Sequence, residues 1–389
     1  MANLFFVHTP FQLFVAQQII NQEKLQDNLI LENYIPGNKH FLDIYDLIII
    51  PEMWKEQLME PCFLGWAVVH FKYFPSLNTL LSTRRKMNVF MGNLDKLIQE
   101  KHVKKLFLGE ISNSGLQLIA EIYHKKGVEI AFFEEGCSHY QYRPFPKKNT
   151  IVKKLYYKLL ELLLDAMVYK PLLGFCFADH FYCKHKYEEL HYDNRYSIIN
   201  CYNSNRDKPV VIANLFSSQL KNYFMSELGA IDPENQKVYL FISSLVYEVT
   251  TVEDFFVEEE VVDDMAKQLD HNAILLVKYH PREKEEHIER LNAIFKKYNL
   301  QYRILGSKYN IPVEFYLQYM SFSKIFAFAN SSIYYNGFIF PKTEMVRLDL
   351  NYLEKYREHG LPNLDRVQRY CDVFTKSINY FTELANRKG

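Results

Sequence analysis

Ile130-Ala131-Phe132-Phe133-Glu134-Glu135-Gly136 is an apolar run that stops abruptly at two carboxylates and a glycine. A short run of β-branched and aromatic residues reads as a strand buried on both faces of a parallel sheet, and Gly136 permits the backbone angles of a sharp exit. The two carboxyl groups then sit at the strand tip, repelling each other and partly desolvated. Both effects favour the protonated form of a carboxyl group, a property that suits a general base. A loop start that happens to be acidic is the alternative. What argues for chemistry is a second strand end of the same kind much later in the chain, Lys278-Tyr279-His280-Pro281-Arg282.

A chain of 389 residues can bury a large core and should divide into about two domains. Apolar residues at 48% and charged residues at 24% describe a soluble globular protein. The 29 Tyr and 30 Phe point to aromatic-lined clefts as well as a packed interior. A net charge of zero argues against a nucleic-acid partner, which usually meets a basic excess. The six cysteines have no framework spacing and read as the reduced, buried thiols of a cytoplasmic protein. Cys176, His180, Cys183 and His185 match no familiar zinc pattern, so no metal site is expected. The start shows no signal peptide, and no apolar stretch is long enough to span a bilayer.

Working outward from the Glu134 strand, residues 4–7 read as a short buried strand and 11–20 as a helix. Thr9 is placed to cap that helix and Pro10 to start it. A first strand-to-helix turn usually faces the crevice at the strand carboxyl ends, so Thr9 and Gln12 either touch a ligand or serve the cap alone. Residues 47–50 form a second strand, 78–86 and 94–101 are helical, and 105–108 form a third strand. That strand runs into a small polar turn containing Asn113, followed by a helix over 116–126. Alternating strands and helices indicate a parallel sheet of nucleotide-fold type. Residues 149–175 read as an amphipathic helix with lysines on its polar side. It covers a sheet or, alternatively, makes a peripheral contact at the inner face of the membrane.

From 201 to 236 the composition turns to Asn, Ser, Asp and Pro, which marks a linker between a first domain at 1–200 and a second at 237–360. The second domain opens with a strand at 238–242 that runs into the hydroxyls of Ser243 and Ser244. A helix about 258–269, a strand at 273–278 into His280-Pro281, a helix over 283–298 and a strand at 301–305 follow. A helix begins near Pro312-Val313-Glu314, and a strand at 325–328 leads into Asn330-Ser331-Ser332. The last helix, within 361–389, is expected to pack across the domain seam. His280 at a strand end can donate to an anion or act as an acid, and Ser331 and Ser332 with free amides at a helix start would cradle a phosphate. Glu314 at another helix start can accept from a ribose. The plainer readings are a core histidine, a helix cap and a capping carboxylate. No Asp-x-Asp falls in a metal-binding place, and Asp263-Asp264 reads as a solvated helix face.

Glu134-Glu135-Gly136, His280-Pro281 and Ser331-Ser332 resemble, in order, the acidic-acidic-glycine, His-Pro and Ser motifs of bacterial sialyltransferases. That group includes the lipooligosaccharide sialyltransferases and the capsular polysialyltransferases. Phe5-Phe6-Val7-His8-Thr9-Pro10-Phe11-Gln12 is also similar to the start of the lipooligosaccharide group. The resemblance implies an α/β protein of GT-B type, two Rossmann-like domains facing across a cleft. The first would hold the acceptor sugar, near Thr9, Gln12 and Asn113, and supply Glu134 or its neighbour Glu135 as base. The second would hold CMP-sialic acid through Ser243, Ser244, Pro281, Glu314, Ser331 and Ser332, with His280 at the leaving phosphate. Transfer would invert the anomeric carbon and use no metal or other cofactor. The expected acceptor is a galactose-terminated surface glycan of lipooligosaccharide or capsule. A growing sialic acid polymer, met by a basic strip from Lys147 to Lys158, and a non-catalytic glycan-binding or assembly protein are the alternatives.

Overall fold

The computed structural model describes residues 2–7, 9–32, 48–50, 77–109, 114–134, 192–198, 205–216, 218–229, 231, 236–248, 255–280, 282–307 and 311–386. These fall into two units, one running to Ala213 and the other from Asn214 onward.

The first unit is built on a seven-stranded sheet. In chain order its strands are β1 (Ala2–Val7), β2 (Asn28–Glu32), β3 (Ile48–Ile50), β4 (Val103–Leu108), β5 (Glu129–Phe133), β6 (Asn194–Ser197) and β7 (Asp207–Pro209). Their order across the sheet is β3-β2-β1-β4-β5-β6-β7, and every pair is parallel. This is the nucleotide-fold order, with its reversal point between β1 and β4. The central strands carry almost no polar residues because helices cover both faces. Phe5 lies in register with Phe107 and stacks on it, ring centroids 4.1 Å apart. Leu4, Phe6, Leu106, Leu108, Ile130 and Phe132 form the core on one face with Phe90 and Tyr123.

Three described helices accompany this sheet: α1 (Pro10–Gln22), α2 (Leu77–Glu100) and α3 (Ser114–Lys125). The two helices expected over 78–86 and 94–101 are one. Gly92 and Asn93 do not break it, because Phe90 and Leu94 on either side are fully buried and hold the turn in place. Such packing outweighs the roughly 1 kcal/mol that a helical glycine costs.

The second unit has a five-stranded parallel sheet of β8 (Val238–Ile242), β9 (Ile274–Lys278), β10 (Gln301–Ile304), β11 (Lys324–Ala327) and β12 (Met345–Arg347), ordered β10-β9-β8-β11-β12. The same reversal recurs, here between β8 and β11. Its described helices are α4 (Ser218–Leu228), α5 (Phe256–Ala266), α6 (Glu285–Lys297), α7 (Val313–Tyr319), α8 (Leu348–Glu358) and α9 (Leu364–Asn386). Tyr239, Phe241, Leu275, Val277, Phe326 and Phe328 face a core shared with α5, α6 and α8. Alternation sends Lys278 to the opposite face of β9 from Val277.

The stretch 201–236, expected as a linker, instead contributes β7 to the first sheet and α4 to the second unit. The terminal helix α9, expected at the seam, packs Val367 and Cys371 into the core of its own unit and sets Phe374 edge-on to Tyr334, 5.1 Å between centroids. Asp263 and Asp264 do lie on an outer helix face, paired with Lys267, Lys297 and Lys355. The segments holding Cys176 to His185 and Lys147 to Lys158 lie outside the described residues. Among the described residues no helix is long and apolar enough to cross a membrane.

Candidate active site

In the first unit the expected residues gather where β1, β4 and β5 end. Thr9 caps α1: its Oγ1 accepts Gln12 N at 3.2 Å, and Gln12 Oε1 accepts Thr9 N at 3.2 Å in return. Gln12 is fully buried, and its Nε2 donates to the Gly109 carbonyl just past β4. Of the two readings open for this pair, the capping one is made in full, and the Gln12 amide is engaged in tying α1 to the end of β4. Gly109 has to be glycine there. A Cβ would fall 2.7 Å from the Phe6 carbonyl oxygen and 2.8 Å from Gln12 Cδ.

Glu134 follows β5 and is fully buried. Its amide donates to Tyr196 O at 3.1 Å and its Oε2 accepts Ile198 N at 2.7 Å, so the carboxylate bridges the ends of β5 and β6. Glu135 and Asn113 lie outside the described residues.

In the second unit the ends of β9, β8 and β11 lie side by side at the reversal point. Ser243 Oγ accepts His280 N at 2.8 Å and donates to Glu283 Oε2 at 3.0 Å. Ser244 Oγ donates to Ala329 O at 3.3 Å, across from β8 to β11. His280 is half-buried, and its Nδ1 accepts Arg282 N at 3.1 Å. A backbone N–H can only donate, so Nδ1 is bare and the neutral ring carries its proton on Nε2.

Ser331–Tyr335 forms a five-residue 3-10 turn where a helix start was expected. Asn330 Oδ1 takes the Ser332 amide at 2.9 Å, and Ile333 N bonds Asn330 O at 3.3 Å, so these amides are closed by the turn itself and do not form the open phosphate cradle anticipated. Ser332 is fully buried, and its one proton serves either Glu314 Oε1 at 3.0 Å or Asn330 Oδ1 at 2.9 Å. Burial pushes the Glu314 carboxyl up from its ordinary range, against its own amide, the Ser332 hydroxyl and Lys278. A protonated Glu314 can donate to Ser332, which then donates to Asn330, so all three side chains are paired within this set. The side chain of Ser331 and the whole of Pro281 lie outside what is described.

Sequence reasoning passed over Lys278, the last residue of β9. It is buried, and burial lowers its pKa to about 8 even though Glu227 and Glu314 act to raise it. Glu227 on α4 accepts from Tyr223, Tyr316 and the Gly306 amide. A lysine ending an apolar strand is a usable signal for such a residue; the two distant carboxylates are not adjacent in sequence and leave none.

A family model described as alpha-2,8-polysialyltransferase matches residues 3–348, which takes in both sheets. The chain belongs to that family. As an alpha-2,8-polysialyltransferase family member it is a glycosyltransferase of sialyltransferase type, and its two Rossmann-like units are the domain types of the GT-B class. Among solved structures this polysialyltransferase-family chain is similar to the glycosyltransferase VinC in complex with dTDP, at 12% identity and a TM-score of 0.41 over 99% of this chain and 95% of that one. It is similar also to the Methanocaldococcus jannaschii UDP-GlcNAc 2-epimerase in complex with UDP-GlcNAc and UDP, at 11% identity and a TM-score of 0.44 over 97% and 100%. No curated protein matches the sequence.

Proposed function

We propose that the protein moves sialic acid from CMP-sialic acid to a surface glycan, with inversion and without a metal. The observation that carries this reading is the hydrogen-bonded set at the reversal point of the second sheet, His280 on Ser243 and Ser332 on Glu314. Open α/β sheets bind ligands at such points. In this reading the second unit takes the donor and the first unit takes the acceptor.

The acceptor hydroxyl oxygen attacks the anomeric carbon as the bond from that carbon to the phosphate oxygen breaks. The hydroxyl proton passes to a carboxylate of the Glu134-Glu135 pair, and CMP leaves as the phosphate. Glu134 is closed off and bound to Ile198 N, which suits it to hold the tip, so the base role is assigned to Glu135. His280 Nε2–H donates to the departing phosphate oxygen. Ser331 meets the phosphate, Glu314 the ribose, and Ser332 holds Glu314. Thr9, exposed at its cap, faces the acceptor. Because the leaving group is already a phosphate, protein donors suffice to carry its charge.

Family membership favours a sialic acid end as acceptor. The galactose end is the second reading, favoured by the opening stretch from Phe5 to Gln12. CMP release from CMP-sialic acid, measured with oligosialic acid and with lactose, tests both. A ladder of products supports the polymer, a single addition to lactose supports galactose, and no CMP release with either overturns the proposal.

A further inference from the structure

His280 is held by its amide, its carbonyl and its ring. Its amide donates to Ser243 Oγ at 2.8 Å, its carbonyl accepts Glu283 N at 2.9 Å, and its Nδ1 accepts Arg282 N at 3.1 Å. Two of these lead to Glu283, one through the backbone and one through the Ser243 hydroxyl, which donates to Glu283 Oε2 at 3.0 Å. The other oxygen of Glu283 lies 2.9 Å from His287 Nδ1, and both side chains have 0% exposure.

Packing alone does not call for this pair. The inward stripe of α6 is His287, Leu291 and Phe295, so an aliphatic residue at 287 would continue it. The imidazole lies flat on Phe255, 4.3 Å between centroids, and edge-on to Tyr247. Replacing both members of a buried hydrogen-bonded pair by apolar groups of the same shape is often nearly neutral or stabilising. Here further polar atoms are carried at a cost: His287 Nε2 and both carboxyl oxygens of Glu258 are buried without a hydrogen-bond partner. Burial, then Glu283 and Glu259, push the Glu258 carboxyl well above its ordinary range. A shell of hydrogen-bonded side chains behind a functional group is what holds that group's aim.

The geometry points to Ser243, Glu283 and His287 as positioning residues that fix the aim of His280. This deepens the donor-site reading and rests on it. Ser243 was expected to touch the donor; it has 1% exposure, and its proton and a lone pair are both engaged, so it acts through His280. A misplacement of about 1 Å in a reacting group can cost on the order of a hundredfold.

Double-mutant cycles on the full chain test this. Ser243→Ala and Glu283→Gln are each made alone and with His280→Ala, and CMP release from CMP-sialic acid is followed. Each single substitution is expected to lower kcat by about tenfold to a hundredfold with the acceptor KM unchanged, and to cost less than about twofold once His280 is alanine. Losses that multiply in the His280→Ala background overturn the brace and leave the donor site standing. If Ser243→Ala does not fold, Glu283→Gln, which keeps the side-chain shape, decides by the same cycle. Full activity of His280→Ala alone overturns the donor-site reading itself, and the brace with it.

Discussion

Ser332 Oγ lies 3.0 Å from Glu314 Oε1 with both side chains buried, so a hydroxyl and a carboxyl from different elements are locked together beneath the reversal point of the second sheet. Burial raises the Glu314 pKa above 4.5 in the folded chain. The folded state therefore holds a proton there that the unfolded state has released. The stability this gives is full below about pH 4.5 and is lost as pH rises through the folded value. Glu314→Gln, which keeps an acceptor for Ser332 and never ionises, is expected to gain stability relative to the parent over that window. Urea unfolding of both proteins from pH 4 to pH 7 checks the sign; a constant difference would show that Glu314 is not the titrating group.

Lys278 titrates in the other direction. Its folded pKa of about 8 lies below the ordinary 10.5, so at pH 8 and below the chain buries an ammonium that the unfolded state keeps in water. Stability from this group is present above pH 10.5 and is lost as pH falls through about 8, a penalty on the order of 3 kcal/mol. Lys278→Met removes it. The variant should exceed the parent in stability at pH 7, and its advantage should shrink between pH 8 and pH 10. The same variant is expected to weaken CMP binding, since Lys278 brings positive charge to the proposed donor site.

Much of this arrangement could be read from residues alone because the central strands are buried on both faces. Phe5, Phe107, Ile130 and Leu276 belong to apolar runs whose ends mark the strand tips, and Glu134 and His280 lie just past the last two. Strand β6 could not be read that way. It is Asn194–Ser197, and Arg195 is buried there with Asp207 on β7 accepting from its Nε at 2.7 Å. An ion pair between two short polar strands has no hydrophobic period. The inward turn of Ser332 was hidden for the same kind of reason: it depends on Glu314 from another element and on Asn330 capping the turn. At Thr9 and Gln12 the sequence allowed both a cap and a contact, and only Gly109, brought in by β4, decides how the glutamine amide is used.

Metal removal should leave the proposed reaction unchanged. In this reading His280 and the serine set carry the charge of the departing phosphate. CMP release in excess EDTA is expected to stay within about twofold of the untreated rate, and added Mg²⁺ or Mn²⁺ should not raise it, because these groups supply the stabilisation a cation otherwise would. A rate that falls at least tenfold in EDTA and returns with one of those ions would assign the charge to a metal instead.

The Glu134-Glu135 pair offers a last separation of roles. Glu134 is fully buried and accepts Ile198 N at 2.7 Å, linking β5 to β6. Glu134→Gln keeps one acceptor for that amide, so its main expected effect is on stability, about 1–3 kcal/mol if the bond is weakened, with kcat reduced less than about tenfold. Glu135→Gln removes the assigned base and is expected to lower kcat by about 10²–10⁴-fold while the folded state is unaffected. Thermal unfolding and kcat measured side by side on the two variants decide the matter. The reverse pattern, a stable Glu134→Gln without activity, would move the base to Glu134 and require its bond to Ile198 to open when the acceptor binds.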